Sequence, residues 1–392
     1  MPRLPIERCS PTMVRLNGRE LVAFAGCNYL GLGNHPRVVD AMKDGLDRWG
    51  ISTTASRETT GNTLAHESLE AELAEFTGQD AAILAAEGYT ANFMAMQALA
   101  RDHRVCAIDA QSHRSIRHAA VAAGMQVFEY EHISPDSARW LCQQYADQGV
   151  VIATDSVFAA DGAVAPLPEL LRALPPRRSV LLVDDCHGFC VLGPGGRGAV
   201  SHFGLSDPRI VVTTTLAKGL GCYGGAVMGR KSFISTVQER AWVYRSSTPV
   251  PPAMAEACRA AVRLLKEDST LVDSLRNNIL LMRQSLFFQG LPLPPEGVPI
   301  FTFAVSPVER METVHRMLLD AGLFAPLIEY PGGPADRYFR VVVNAQHTAQ
   351  QIDRLGRDLA RALEATRADG AGRRVPVFVG NEVVEFKSAA MV

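Results

Sequence analysis

From about residue 80 onward, short apolar runs alternate with stretches that can carry helices. Strand-like runs stand at RVCAID (104–109), QVFEY (126–130), VVIATDSVF (150–158), SVLLVDD (179–185), RIVVTTT (209–215) and GGAVMG (224–229). Such runs, separated by helices, predict a mainly parallel sheet covered on both faces. Ahead of them, Val38, Met42, Leu46 and Trp49 share one helical face, and Leu69, Leu73 and Phe76 share another in a helix ended by Gly78. The opening MVRLNGRELVAFAG is two apolar-rich runs around Asn17-Gly18, a hairpin signal.

After the helical stretch that follows STPVPP, the pattern changes. A long helix leads to VPIFTFAV, a helix near 308–321, YFRVVV, and a helix carrying Ile352, Leu355, Leu359 and Leu363. The fold expected is therefore α/β: a mainly parallel central sheet with helices on both faces, plus a smaller C-terminal α+β domain. Three segments are expected: an N-terminal hairpin arm over 1–40, a large domain over 41–264 and a small one over 265–392. The last ends in a further hairpin around Gly380-Asn381.

Composition narrows the class of protein. The 392 residues are 47% hydrophobic and 20% charged, ordinary for a soluble globular chain. A net charge of −2 gives no electrostatic case for nucleic acid or an anionic membrane as partner. No apolar run is long enough to span a bilayer, and MPRLPIERCSPT lacks the apolar stretch of a secretory signal. Eight scattered cysteines read as reduced thiols, so a cytoplasmic location is expected.

In parallel sheets ligands bind beyond the carboxyl ends of the strands, and four features fall there. Gly88 stands where a turn and the free amides of a helix could cradle a phosphate, or where an ordinary helix start is capped by Thr90. His113, a few residues past a strand, can stack on a flat ring or sit on the surface. Asp184 and Asp185 end an apolar run, where buried charges need partners, and they point to opposite faces if the strand persists. Cys186, His187 and Cys190 lack a second pair at ligand spacing, which argues against zinc. Lys218 lies between VVTTT and a glycine-rich turn. GLGCYG (219–224) has spaced glycines, but a strand-like run follows where a nucleotide site needs a helix.

A lysine so placed suits capture of an aldehyde as an imine, because desolvation favours its neutral, nucleophilic form. Together with Asp184 it points to pyridoxal phosphate, which needs a lysine, a carboxylate for its pyridine nitrogen, a phosphate cradle and a cover for its ring. Gly88, His113, Asp184 and Lys218 supply these parts in order.

Over 28–355 the chain resembles the α-oxoamine synthases, a family of fold-type I pyridoxal phosphate enzymes. The resemblance is carried by NYLGLGNHP, HESLEAELAEFTG, EGYTAN, DGAVAPLPEL, VDDCHGFCVLGPGGRG, TLAKGLG, YFRVVVNAQHT and HTAQQIDRL. It implies the aspartate aminotransferase-like fold and a decarboxylative condensation of a small amino acid with an acyl thioester. It further implies that Lys218 forms the Schiff base and removes the Cα proton, and that Asp184 pairs with the pyridinium. His187 would contact the ring hydroxyl and His113 would stack on the ring. Thr215 and the amides of Gly88 and Tyr89 would hold the phosphate. Thr248 would reach the phosphate of a neighbouring subunit, which implies a homodimer with shared sites. Asn28 and Arg340 would lie near the amino-acid carboxylate. Ala159 and Glu87 depart from the family's usual serine, and serine or asparagine. Two other readings remain open at this point: another fold-type I reaction, such as transamination or retro-aldol cleavage, and a non-catalytic partner subunit.

Overall fold

The computed structural model describes residues 5–367 and the strands Val377–Val379 and Glu382–Val384. Its described residues form two compact units, one of 27–158 and 164–272, the other of the described parts of 1–26, 159–163 and 273–392.

The first unit is built on a seven-stranded sheet. In spatial order its strands are Ala81–Ala85, Gly225–Gly229, Ile210–Thr215, Ser179–Asp184, Val150–Asp155, Val105–Asp109 and Gln126–Tyr130. Gly225–Gly229 runs antiparallel to both neighbours, and the other pairs are parallel. Side chains of Val105–Asp109, Val150–Asp155 and Ile210–Thr215 are buried throughout, as strands covered on both faces require. One layer of the core joins Ile83, Ile108, Leu182, Val211 and Val227 to Ala91, Met94 and Ala95 of the helix Gly88–Leu99. Register sets Asp155 directly beside Asp184 at the carboxyl ends of their strands.

Two helices clasp this unit through a close approach. Pro36–Trp49 packs on Pro252–Glu267 at Gly45, where a Cβ would fall 2.7 Å from the Ala253 Cα. Val38 and Gly45 centre the buried face, whereas Leu46, expected on it, is exposed. Its place is taken by backbone contact, which a side-chain count does not register. Leu64–Thr77 buries Leu69, Leu73 and Phe76 and stops at Gly78, φ 73°.

The second unit holds the N-terminal hairpin, in which Met13–Leu16 pairs with Arg19–Ala23. Asn17 and Gly18 take positive φ of 49° and 71°, as a two-residue turn of the right hand requires. Leu323–Phe324 adds parallel to Arg19–Ala23. A separate antiparallel sheet joins Ile300–Phe303, Tyr338–Val342 and Leu327–Ile328. The helix Ala349–Ala365 buries Ile352, Leu355 and Leu359. Val377–Val379 and Glu382–Val384 pair antiparallel, while Gly380-Asn381, the turn expected between them, lies outside the described residues. Among the described residues no helix is long and apolar enough to cross a membrane.

Candidate active site

Lys218 follows the strand Ile210–Thr215 by three residues and is half-buried. Its Nζ lies 2.8 Å from His187 Nε2, and His187 Nδ1 lies 2.6 Å from the Tyr29 hydroxyl. The His187 loop abuts the lysine's own turn, since a Cβ on Gly219 would meet Cys190 Cβ at 2.4 Å and Phe189 O at 2.6 Å. Asn28 is held against the far side of that turn. A Cβ on Gly221 (φ 63°) would stand 2.7 Å from Asn28 Oδ1.

Asp184 is buried, and both its oxygens accept. Oδ1 takes the Cys186 N–H at 3.1 Å and Oδ2 the Asn92 Nδ2 at 2.8 Å. Asn92, fully buried, also donates to Ser115 Oγ at 2.9 Å and accepts from Thr213 Oγ1 at 2.6 Å. Ser115 Oγ is 2.7 Å from His113 Nδ1, and the His113 N–H donates to the Asp155 carboxyl at 3.1 Å. Asp184 and His113 therefore belong to one connected polar network. Burial lowers the His113 pKa from its ordinary value, with Asp184 raising it and Lys218 lowering it to smaller extents. Burial, and then the neighbouring Asp184 charge, push Asp155 well above the carboxylate range.

Asp185 does not share this network. Its Oδ2 accepts the Ala199 N–H at 3.0 Å, and its carboxyl fits between Gly188 and Gly198, where added Cβ atoms would meet its oxygens at 2.2 and 2.1 Å. Burial pushes this carboxyl up to about 7.

Gly88 opens the helix Gly88–Leu99 instead of preceding it. Thr90 does not cap from outside: it sits in the first turn, accepting the Glu87 N–H at 3.0 Å and donating to Glu87 O at 2.8 Å. A Cβ on Gly88 would fall 2.7 Å from the Thr215 Cβ, and one on Gly225 would fall 2.4 Å from Glu87 C and 2.7 Å from Gly88 N. Only glycine permits this approach of strand and helix start, which brings Thr215 against the free amides. Tyr89 projects outward, its hydroxyl 2.5 Å from His118 Nδ1 and its ring edge-on to His113.

The structure thus brings Lys218, His187, Asn28, Asp184, His113, Gly88, Tyr89 and Thr215 onto one unit, around the carboxyl ends of its strands. Thr248, also on this unit, is exposed. Arg340 belongs to the other unit, where its Nε donates to Ala159 O at 2.8 Å. Among the described residues no cluster of three or more acidic, His or Cys side chains is placed to hold a metal ion. Sequence reasoning missed Asn92, Ser115, Thr213, Asp155 and Tyr29. A signal existed for two of them: Asn92 is a polar residue in an otherwise apolar helical run, and VVIATD ends on a carboxylate as SVLLVD does.

The residues fit pyridoxal phosphate. A lysine amine, a buried carboxylate with both oxygens supplied with donors, and a side-chain-free cradle at a helix start occur together.

The comparisons agree with this reading. The model of the aminotransferase class I and II family matches residues 19–359. The chain is 36% identical over 360 residues to an 8-amino-7-oxononanoate synthase of Methylococcus capsulatus, covering 91% of this chain and 93% of that one. A second such synthase, of Thioalkalivibrio sulfidiphilus, is 34% identical over 370 residues, covering 93% of each. Serine palmitoyltransferase of Sphingomonas wittichii superposes with a TM-score of 0.87 at 26% identity, over 93% of this chain and 92% of that one. The same enzyme from S. paucimobilis, solved with PLP and myriocin bound, gives 0.87 at 25% identity, over 93% of each.

The fold is that of the fold-type I pyridoxal phosphate enzymes. The chain belongs to the aminotransferase class I and II family and, within it, to the α-oxoamine synthases.

Proposed function

We propose that this chain joins a small amino acid to an acyl thioester, releasing carbon dioxide and the thiol and giving an α-aminoketone, with pyridoxal phosphate as cofactor. The observation that carries the reading is the pairing of Lys218 Nζ with His187 Nε2 at 2.8 Å, in the same unit as the Asp184–Asn92–Ser115–His113 network. Bound pyridoxal phosphate would supply an electron sink, its protonated pyridine drawing charge from the amino-acid Cα twice, once when the Cα proton leaves and once when its carboxylate leaves as carbon dioxide.

The chain's own residues divide the remaining tasks. Lys218 would hold the cofactor's aldehyde carbon until the amino group of the substrate displaces it, and its freed Nζ would then move the Cα proton. Asp184 keeps a proton on the pyridine nitrogen, and an opposite charge in contact is worth roughly 1–3 pKa units there. His113 covers the ring and His187 meets its hydroxyl. Thr215 and the amides of Gly88 and Tyr89 hold the phosphate, using the positive end of the helix. Asn28 is assigned to the amino-acid carboxylate, and Arg340 carries the planar guanidinium fork that suits such a group. Thr248 serves the phosphate held by a partner subunit, so the working form is a homodimer, and the location is cytoplasmic.

The test is a mass-spectrometric screen of small amino acids against acyl thioesters, with carbon dioxide and free thiol measured alongside. An α-aminoketone formed with both by-products, and absent with Lys218→Ala, supports the reading. Amino transfer to a keto acid without either by-product overturns it.

A further inference from the structure

The helix Arg114–Ala122 is capped by His113, whose side chain accepts the Ser115 N–H, with Ser115 N 3.3 Å from Nδ1. A backbone N–H can only donate, so Nδ1 carries a lone pair and no proton. The Ser115 hydroxyl, 2.7 Å from the same nitrogen, must then donate to it as well. One of its two lone pairs accepts from Asn92 Nδ2 at 2.9 Å. The orientation of Asn92 follows in turn. Its second N–H goes to Asp184 Oδ2 at 2.8 Å, and its Oδ1 accepts the Thr213 hydroxyl at 2.6 Å. Every proton in this buried chain has one consistent direction, running from Thr213 and Asn92 through Ser115 to His113.

We infer that Asn92 and Ser115 are positioning residues, a relay that fixes His113 as the neutral tautomer protonated at Nε2. This rests on the proposed role of His113 as the cover of the cofactor ring and explains what that role needs. A protonated imidazole laid on a protonated pyridine would set two cations face to face. The relay prevents this by keeping two donors aimed at Nδ1, which a proton there would oppose. The groups around His113 are Asp155 at its backbone N–H, Asp184, Lys218, His118 and the edge of Tyr89. Burial, which lowers its pKa, acts in the same direction.

The experiment is histidine-selective 15N NMR on the dimeric protein, recorded with and without pyridoxal phosphate, with His113→Gln used to assign the resonances. The wild type is expected to show an unprotonated acceptor at Nδ1 and a protonated nitrogen at Nε2 in both states. Ser115→Ala removes the 2.7 Å hydroxyl donor and leaves only the longer 3.3 Å backbone N–H on Nδ1, so it is expected to admit a detectable share of the other tautomer and to weaken pyridoxal phosphate affinity by about tenfold, the scale of one hydrogen bond. Ser115→Thr, which keeps the hydroxyl, is expected to restore both, and Asn92→Ala to mix the tautomers without touching His113. A wild-type Nδ1 that carries the proton, or a Ser115→Ala spectrum identical to wild type, overturns the inference. The cofactor-free spectrum reports the tautomer by itself. Failure to bind pyridoxal phosphate with the tautomer intact therefore counts against the proposed function and not against the relay.

Discussion

Replacing Gly88 by alanine tests the proposed phosphate cradle with a single carbon. The added Cβ would lie 2.7 Å from the Thr215 Cβ, 3.2 Å from its Cα and 3.3 Å from Cys186 Sγ. Ordinary carbon contacts need about 3.5–4.0 Å. The first two obstacles belong to a buried strand end that cannot swing away, so the helix start must retreat by about 1 Å. A charge-assisted hydrogen bond of about 2.8 Å then stretches past useful length, and each is worth about 1.5–3 kcal/mol. With the amides of Gly88 and Tyr89 both displaced, about 3–6 kcal/mol of phosphate binding is lost, a factor of about 10²–10⁴ in affinity.

Equilibrium titration of the cofactor-free protein measures it, with pyridoxal lacking the phosphate as the control. Pyridoxal phosphate should bind far more weakly to Gly88→Ala, while pyridoxal binding changes little. If pyridoxal phosphate keeps its wild-type affinity, the phosphate is not held at this helix start. If both compounds weaken equally, the substitution has damaged the ring site and the cradle argument fails.

Two further outcomes follow from packing and titration. His347 is buried, stacked on Phe24 at 4.4 Å, with Nδ1 accepting the Asn344 N–H and Nε2 3.1 Å from Ala23 O; its pKa falls to about 4, chiefly through burial. The unfolded chain therefore takes up this proton first as pH drops, so stability is complete above about 6.5 and is lost on the way down to about 4. The full loss is about 3 kcal/mol, and His347→Gln should flatten that part of a denaturant-stability profile; a His347 resonance titrating near 6.5 would refute it. Gly45→Ala should destabilise by about 1–3 kcal/mol, since its Cβ meets the Ala253 backbone. The same change at an open helical position stabilises by up to about 1 kcal/mol, so a raised melting temperature would show that the two helices do not meet as described.

The parts of the fold legible in the sequence are those whose residues state a preference locally. Val150–Asp155 and Ile210–Thr215 are β-branched throughout most of their length, and Asn17-Gly18 supplies both positive-φ residues of its turn. Ala81–Ala85 was not legible, because three alanines favour helix and the segment is short. Its extended form comes from pairing with Gly225–Gly229, residues more than a hundred positions away. The site divides in the same way. Lys218, His113 and Asp184 announce themselves as polar residues at strand ends. Asn92 and Ser115 acquire their meaning only when folding brings residues 92, 115, 184 and 213 together.

The two neighbouring carboxyls show how that tertiary step assigns chemistry. Asp155 and Asp184 are adjacent in register, both are buried, and each ends an apolar strand, so strand position and burial by themselves give no reason to prefer either as the partner of a cationic ring. Their donors separate them. Asp184 receives one N–H on each oxygen, from Cys186 and Asn92, whereas Asp155 shares the single N–H of His113 between its two. A buried negative charge is tolerable only where its lone pairs are met, so Asp184 has the donors such a charge needs, whereas burial and the neighbouring Asp184 charge push Asp155 well above the usual carboxylate range. Asp155→Asn keeps an oxygen that can still accept the His113 N–H, and cofactor affinity should change by less than about threefold, under 1 kcal/mol. Asp184→Asn removes the charge the ring needs and should weaken affinity by at least about tenfold. Equilibrium binding of pyridoxal phosphate to both variants decides it: equal losses, or the larger one at Asp155, would mean that the donor count does not select the acid.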